Sequence, residues 1–268
     1  MQIPADRLRN LAQAIFQRGG SDEGEATQVA ERLIEANLFG HDSHGVGMVP
    51  AYVNGLQSGE LNPGIDVTVE HDRGSFLLVN GNAGYGQVVA AATMELAIER
   101  AKELGVAVVG LKNSYHIGRV GAWGEMCAAA GFISIHYVNV FSSNSVVAPF
   151  GGSDSRFTTN PYCTALPARN GAEPIVLDMA TSRVAMGKVR VAHNKGEQMM
   201  PDALIDSQGN PTTSIDAYDD GGALLPAGAY KGSALATIAE LVGGAMLGDP
   251  FEFNWLLIAL DVDAFGMG

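Results

Sequence analysis

Two imidazoles, a carboxylate and a hydroxyl fall within four residues at His41-Asp42-Ser43-His44, with Gly40 before them and Gly45 after. Histidine is the side chain whose unperturbed pKa lies nearest neutrality, so a pair on a glycine-bounded turn suits proton transfer. The same residue types also make an ordinary helix-capping turn. A second acid/base candidate, with a structural histidine as its alternative, is His116. It stands in Asn113-Ser114-Tyr115-His116, just past the apolar run 105–111 that reads as a strand buried on both faces. Sites in α/β sheets favour that carboxyl end. Tyr52, on a short helix behind the turn, is positioned to face the same space as His44. His136 reads as a satisfied sheet histidine and His71 as a solvated turn residue. The glycine-, proline- and hydroxyl-rich stretch 141–161 reads as a binding loop between strands. Asp178 is expected at a strand end before a helix, and Lys231 at a helix start, where backbone amides favour an anion.

The elements that must position these groups begin with a helix over 5–18, its inward face Leu8, Leu11, Ala12 and Ile15. A second helix, capped by Ser21 and ending at Gly40, carries Ala26, Val29, Ala30, Leu33 and Ile34 at helical spacing. Val49, Tyr52, Val53 and Leu56 predict a third. A hairpin is expected from 67–70 and 75–79, with His71 to Gly74 as its turn. Phe76 to Val79, Gly84-Tyr85-Gly86 and a helix through Leu104 then imitate a dinucleotide fingerprint. The imitation fails, because Val89 stands where the third glycine belongs and the next strand ends in Lys112-Asn113 without a ribose-binding acid. A helix over 121–130 and strands over 132–140, 162–166 and 174–177 follow. The run from 188 to 226 is polar and turn-rich, an apolar helix spans 234–247, and the last strand covers 255–262. Alternating helices and strands give an α/β protein without the Rossmann signal.

Composition narrows the function. The 268 residues hold 47% hydrophobic and 17% charged side chains, as a packed globular chain does. With 16 Lys+Arg against 29 Asp+Glu, the net charge of −13 repels phosphate backbones and anionic lipid, so neither nucleic acid nor membrane is an expected partner. Cys127 and Cys163 have no metal-ligand or disulfide spacing and fit buried packing in a reducing cytosol. The start lacks a signal peptide, and no apolar run approaches the roughly 20 residues of a membrane span, so a cytoplasmic protein is expected.

Taken together, His41-Asp42-Ser43-His44-Gly45, Ser114-Tyr115-His116, Pro149-Phe150-Gly151-Gly152, Thr159-Asn160-Pro161, Leu177-Asp178-Met179-Ala180-Thr181 and Lys231-Gly232 resemble the malate/L-lactate dehydrogenase family of NAD(P)-dependent oxidoreductases. That family includes ureidoglycolate and sulfolactate dehydrogenases, 2,3-diketogulonate reductase and cyclic imino acid reductases. The resemblance covers nearly the whole chain. It implies a homodimer with a non-Rossmann nicotinamide-binding fold, an N-terminal helical segment and a mixed central sheet. On that pattern residues 1–72 form the helical segment with the substrate-side turn, and 73–268 form the cofactor-binding region. His116 and His44 look like acid/base residues, His116 slightly preferred, and Tyr52 like their substrate-side neighbour. Ser142, Ser143, Thr159, Asn160, Pro161, Asp178, Met179, Ala180, Tyr230 and Lys231 look like parts of the site for NAD or NADP.

Two departures stand out. Met48 occupies a position where members often carry a carboxylate-gripping arginine, which turns attention to Arg119, Arg156 or Lys231 as the anchor. Members also have a polar loop before the last strand and a C-terminal tail that this sequence lacks. The resemblance implies hydride transfer between a nicotinamide cofactor and a small 2-hydroxy/2-oxo acid, with no metal. The alternatives are reduction of a cyclic imino acid such as piperideine-2-carboxylate, a non-catalytic ligand-binding relative, and a metal hydrolase built on His41, Asp42 and His44.

Overall fold

Helix α1 (Ala5–Arg18) buries Ala12 and Phe16, and helix α2 (Glu23–Leu38) sets Ala26, Val29, Ala30 and Leu33 into the same core. They belong to a computed structural model that describes residues 3–140, 145–168, 172–248 and 253–265. Two local details differ from the sequence expectation. Leu11 is 58% exposed while Phe16 is buried, because the inward stripe of α1 runs through 12 and 16. The cap of α2 is Asp22, whose carboxylate accepts from the Glu25 N–H at 2.8 Å; Ser21 instead turns its hydroxyl to Tyr85 Oη, 3.3 Å away. Helix α3 (Val49–Ser58) tolerates Pro50 in its first turn, where no helical N–H is lost, and buries Tyr52 completely.

Strands β1 (Thr68–Arg73) and β2 (Phe76–Asn80) form the expected hairpin, but His71 lies within β1 rather than in the turn. Next come α4 (Gly86–Leu104), β3 (Val106–Ser114), α5 (Gly121–Ala129), β4 (Phe132–Val140), β5 (Tyr162–Leu166) and β6 (Ile175–Met179). The chain then forms α6 (Met186–Lys195), β7 (Leu204–Ile205), β8 (Pro211–Thr212), α7 (Ile215–Asp219) and β9 (Ala223–Leu224). Helix α8 (Tyr230–Ala239) continues into a π-helical turn over Glu240–Ala245, and β10 (Phe253–Asp261) follows.

The main sheet has the order β1-β2-β3-β10-β4-β5-β6; only β2 and β3 pair in parallel, which makes it the mixed sheet of an α/β protein. Strand β10 lies between β3 and β4 and contributes Trp255, Leu257 and Ala259 to a core shared with Val109, Leu111, Val138 and Trp123. His136 in β4 is wholly buried there. Its ring stacks on Trp255 at 5.5 Å, its Nδ1 accepts from the indole N–H at 3.1 Å, and its Nε2 lies 2.8 Å from Ser134 Oγ. An indole nitrogen only donates, so the His136 proton resides on Nε2, and burial holds the pKa down to about 3.

The polar run expected between 188 and 226 is in fact a second unit of structure. It contains α6, α7 and a three-stranded sheet of order β8-β7-β9 around Val147, Val184, Val189, Leu204, Ile215, Tyr218 and Leu224. Two-residue strands leave no alternation to read, and α6 buries only Val189 and Ala192, too sparse a stripe to register. The apolar helix expected from 234 begins earlier, at Tyr230, and changes pitch at Glu240.

The second glycine of the failed dinucleotide fingerprint, Gly86, has a different purpose. A Cβ on Gly86 would overlap the backbone carbonyls of Tyr115 and His116, so the missing side chain lets α4 press directly on the strand end that carries His116. Gly86→Ala is therefore expected to cost about 1–3 kcal/mol as an overpacking substitution. A urea unfolding midpoint indistinguishable from the parent would contradict this packing.

Candidate active site

The turn that holds His44 is fixed from two sides. Asn37, near the end of α2, donates from Nδ2 to Asp42 Oδ1 at 2.6 Å and accepts the Val46 N–H on Oδ1 at 2.8 Å. A Cβ on Gly45 would collide with that amide, so the clamp needs glycine here. From the other side Gly187, in the first turn of α6, presses on Ser43 so closely that a Cβ would overlap the Ser43 Cβ. Between these constraints Ser43 Oγ lies 2.9 Å from His44 Nδ1.

His116 arrives from beyond the end of β3, and its ring stacks on His44 with centroids 5.4 Å apart and planes 23° apart. Its Nδ1 lies 2.7 Å from Tyr52 Oη, which also receives the Gln87 side-chain N–H at 2.5 Å. Phe253 of β10 meets the ring edge-on at 5.3 Å. Burial, aided electrostatically by neighbouring His41 and Arg119, pushes the His44 pKa down to about 4. Burial and then His44 itself push His116 to about 3. Burial drives the Tyr52 hydroxyl well above its ordinary range, so all three groups are neutral near pH 7.

His44 opens onto a cavity of about 580 Å³. Its wall brings in Thr159, Pro161, Asp178, Met179 and Ala180, together with Arg119, Arg183 and Lys188. Asp178 lies near the end of β6, and its carboxylate accepts the Gly121 N–H at 2.7 Å, capping α5; burial raises its pKa against the pull of that bond and of Arg119. Asn160 lies beneath the wall. It is fully buried, with its amide committed to Thr158, Ala236 O and Glu240. Tyr230 and Lys231 open α8 as exposed residues that do not line the cavity; Tyr230 instead meets Phe150 edge-on at 6.2 Å. His116 and Tyr52 stand behind His44 rather than on the wall. Ser142 and Ser143 lie outside the described residues.

The expected carboxylate anchors are differently engaged. Arg119 forms a bidentate pair with Glu125 at 2.8 and 2.6 Å and covers the Phe39 ring at 4.5 Å, Arg156 is exposed and paired with Asp154, and Met48 packs into the helical core. The cations that the sequence did not single out are Arg183 and Lys188. Both face the cavity, and neither has an ion-pair partner among the described residues. Their signal was weak, since each sits beside an element too short or too sparsely apolar to be read. Among the described residues no group of three His, Cys, Asp or Glu side chains is arranged to hold a metal ion, and no helix is long and apolar enough to cross a membrane.

With this geometry in view, the chain can be set beside known proteins. The sequence profile described as malate/L-lactate dehydrogenase matches residues 3–267. The chain is 46% identical over 249 residues to hydroxycarboxylate dehydrogenase B of Escherichia coli O157:H7, covering 92% of this chain and 68% of that protein. It is 37% identical over 257 residues to a Delta(1)-pyrroline-2-carboxylate/Delta(1)-piperideine-2-carboxylate reductase of Pseudomonas putida, covering 95% of this chain and 74% of the other. The crystal structure of a dehydrogenase from Sinorhizobium meliloti superimposes with a TM-score of 0.91 at 33% identity, over 100% of this chain and 81% of that one.

The desolvated histidines, His136 wholly buried and His44 and His116 partly so, set the acid side of the stability profile. His44, His116 and His136 are neutral in the folded chain down to pH 3–4, whereas their unfolded counterparts take up protons below about 6.5. No penalty exists above that pH, and it builds as pH falls from about 6.5 toward 4, with a limiting slope of about 1.4 kcal/mol per pH unit for a fully buried group such as His136. Urea midpoints measured from pH 7.5 to 4.5 should fall, and fall less steeply in His136→Gln. A flat profile over this range would contradict the neutral, buried state.

Proposed function

The chain belongs to the malate/L-lactate dehydrogenase family, and on that premise we propose that it interconverts a small 2-hydroxy acid and its 2-oxo acid with NAD or NADP. The observation that carries the proposal is the pair of stacked, desolvated imidazoles, His44 and His116, at the edge of a cavity large enough for a small acid and a nicotinamide ring. The donor set fits such a cofactor: Arg183 and Lys188, without an ion-pair partner among the described residues, offer positive charge to phosphate or carboxylate, and Val120, Pro161, Met179 and Val184 offer apolar wall to a flat ring. A bound nicotinamide would supply the acceptor or donor for the hydride exchanged at C2 of the acid.

The remaining work falls to the protein. His44 lines the cavity, and its Nδ1–H can donate to Ser43 Oγ, leaving Nε2 as the base that takes the substrate hydroxyl proton. This moves the direct role from His116, preferred from the sequence alone, to His44. His116 stands behind as a second, orienting imidazole, with Tyr52 holding its Nδ1. The low pKa of His44 keeps it a free base at neutral pH. In the reductive direction the negative charge of a bound oxo acid favours the imidazolium, which then returns the proton to oxygen. Arg183 and Lys188 take over the carboxylate grip that Met48 cannot supply. Thr159, Asp178, Met179 and Ala180 border the cofactor side. Ile238 and Leu241, exposed on α8 and its π-helical continuation, support a homodimer.

A second reading, reduction of a cyclic imino acid, draws on the Pseudomonas putida relative. The same imidazole would then protonate nitrogen instead of oxygen. Assays with 2-hydroxy acids, 2-oxo acids and piperideine-2-carboxylate, each with both cofactors, separate the two readings; cofactor binding without turnover on any of them would leave a binding protein. In the active direction His44→Ala and His116→Ala should each lower kcat by about 10²–10⁴-fold with little change in cofactor affinity. Near-normal turnover in both variants would sink the assignment. Arg183→Ala and Lys188→Ala should each raise KM for the acid by about tenfold or more, the loss of one charge-assisted hydrogen bond. An unchanged KM in both would remove them as anchors.

A further inference from the structure

Gln87 is a glutamine in the first turn of α4, 1% exposed, among apolar neighbours. Its side-chain nitrogen donates to Tyr52 Oη, while its side-chain oxygen is buried without any hydrogen-bond partner. The reverse placement of the amide would give the oxygen a partner and strand an NH₂ with two donors, a costlier orphan than a carbonyl. The orientation has a consequence one bond further on. Because Tyr52 Oη already accepts from Gln87, its own hydrogen is directed to the remaining neighbours, and His116 Nδ1 at 2.7 Å is far better placed than the His116 carbonyl at 3.4 Å. A ring nitrogen that accepts carries no proton, so the neutral imidazole must bear it on Nε2.

We propose that Gln87 is a positioning residue that fixes the tautomer of His116 through Tyr52, making its Nε2 a permanent hydrogen-bond donor. His116 Nε2 has no hydrogen-bond partner among the described residues, and the side chain, although behind the cavity wall, is only partly buried, which leaves this donor for a ligand at the cavity edge. The proposal deepens the dehydrogenase reading, on which its kinetic part rests. His44 and His116 then present opposite polarities from stacked rings: one accepts the substrate proton, the other donates to the substrate oxygen. An orphaned carbonyl on Gln87 is the cost of setting that polarity.

The test is the ¹⁵N spectrum of the histidine rings at neutral pH, with His136 as an internal standard because Trp255 fixes its proton on Nε2. The parent protein should show His116 with a pyridine-type Nδ1 and a pyrrole-type Nε2. Gln87→Met, close in volume but without a donor, should move both signals toward the average of two tautomers. Its kcat/KM for the oxo acid should fall about tenfold or more, as when a donor to a developing oxyanion is lost, while KM for the cofactor stays within about twofold. A protonated Nδ1 in the parent would overturn the proposal, and so would a Gln87→Met spectrum with the His116 tautomer unchanged. The parent spectrum alone decides the first point if the variant does not fold. It requires no turnover, so an enzyme inactive on every acid tested would defeat the dehydrogenase reading without touching the tautomer.

Discussion

Two imidazoles stacked 5.4 Å apart and largely enclosed by protein tolerate at most one proton between them. Two positive charges at that separation repel by about 3 kcal/mol even at an effective dielectric near 20, and burial has already made the first charge expensive. The pair is therefore neutral at rest and responds to whatever charge a ligand brings. The surrounding structure serves this constraint. The His41–Gly45 turn holds one ring, the end of β3 holds the other, and α3 and α4 supply the Tyr52 and Gln87 side chains that keep the second ring from turning.

Close backbone approach is what makes the arrangement compact. Gly86 lets α4 touch the His116 carbonyl, Gly45 makes room for the Asn37 clamp, and Gly187 lets α6 rest on Ser43. At each of these places a methyl group would need the volume occupied by a backbone or side-chain atom of the site. Gly86, the second glycine of the pair that resembles part of a phosphate-binding loop, is thus explained by packing against a catalytic candidate rather than by a pyrophosphate. The cation pair of Arg183 and Lys188 reaches the cavity by the same route, since it flanks the start of the helix that Gly187 allows to dock.

Much of this was legible in the sequence, for reasons that can be named. Helices α1 to α3 announce themselves by apolar spacing, and the hairpin and β3 by runs of strand-forming residues that end in polar ones. The His41–Gly45 turn and His116 stand out because histidine is scarce in this chain, with six in all. The α/β class and the absence of a dinucleotide fingerprint also follow from local pattern. The second sheet was hidden because two-residue strands have no period and because its core joins Val147 to Leu224 across a long stretch of chain. Gln87 was hidden for a different reason: a lone polar residue among alanines and valines looks like a surface position until the tertiary fold encloses it. Arg119 illustrates the converse, a charge of the right type at the right place whose fork is already filled by Glu125.

Substrate is expected to meet the His44–His116 pair with its acid group toward Arg183 and Lys188. A crystal structure of the protein with a reduced nicotinamide cofactor and an unreactive 2-oxo acid analogue tests it most directly. The oxo oxygen should lie within about 3.2 Å of an imidazole Nε2 of this pair, with the carboxylate turned toward the two cations. An analogue bound with its oxo oxygen away from both imidazoles would contradict it.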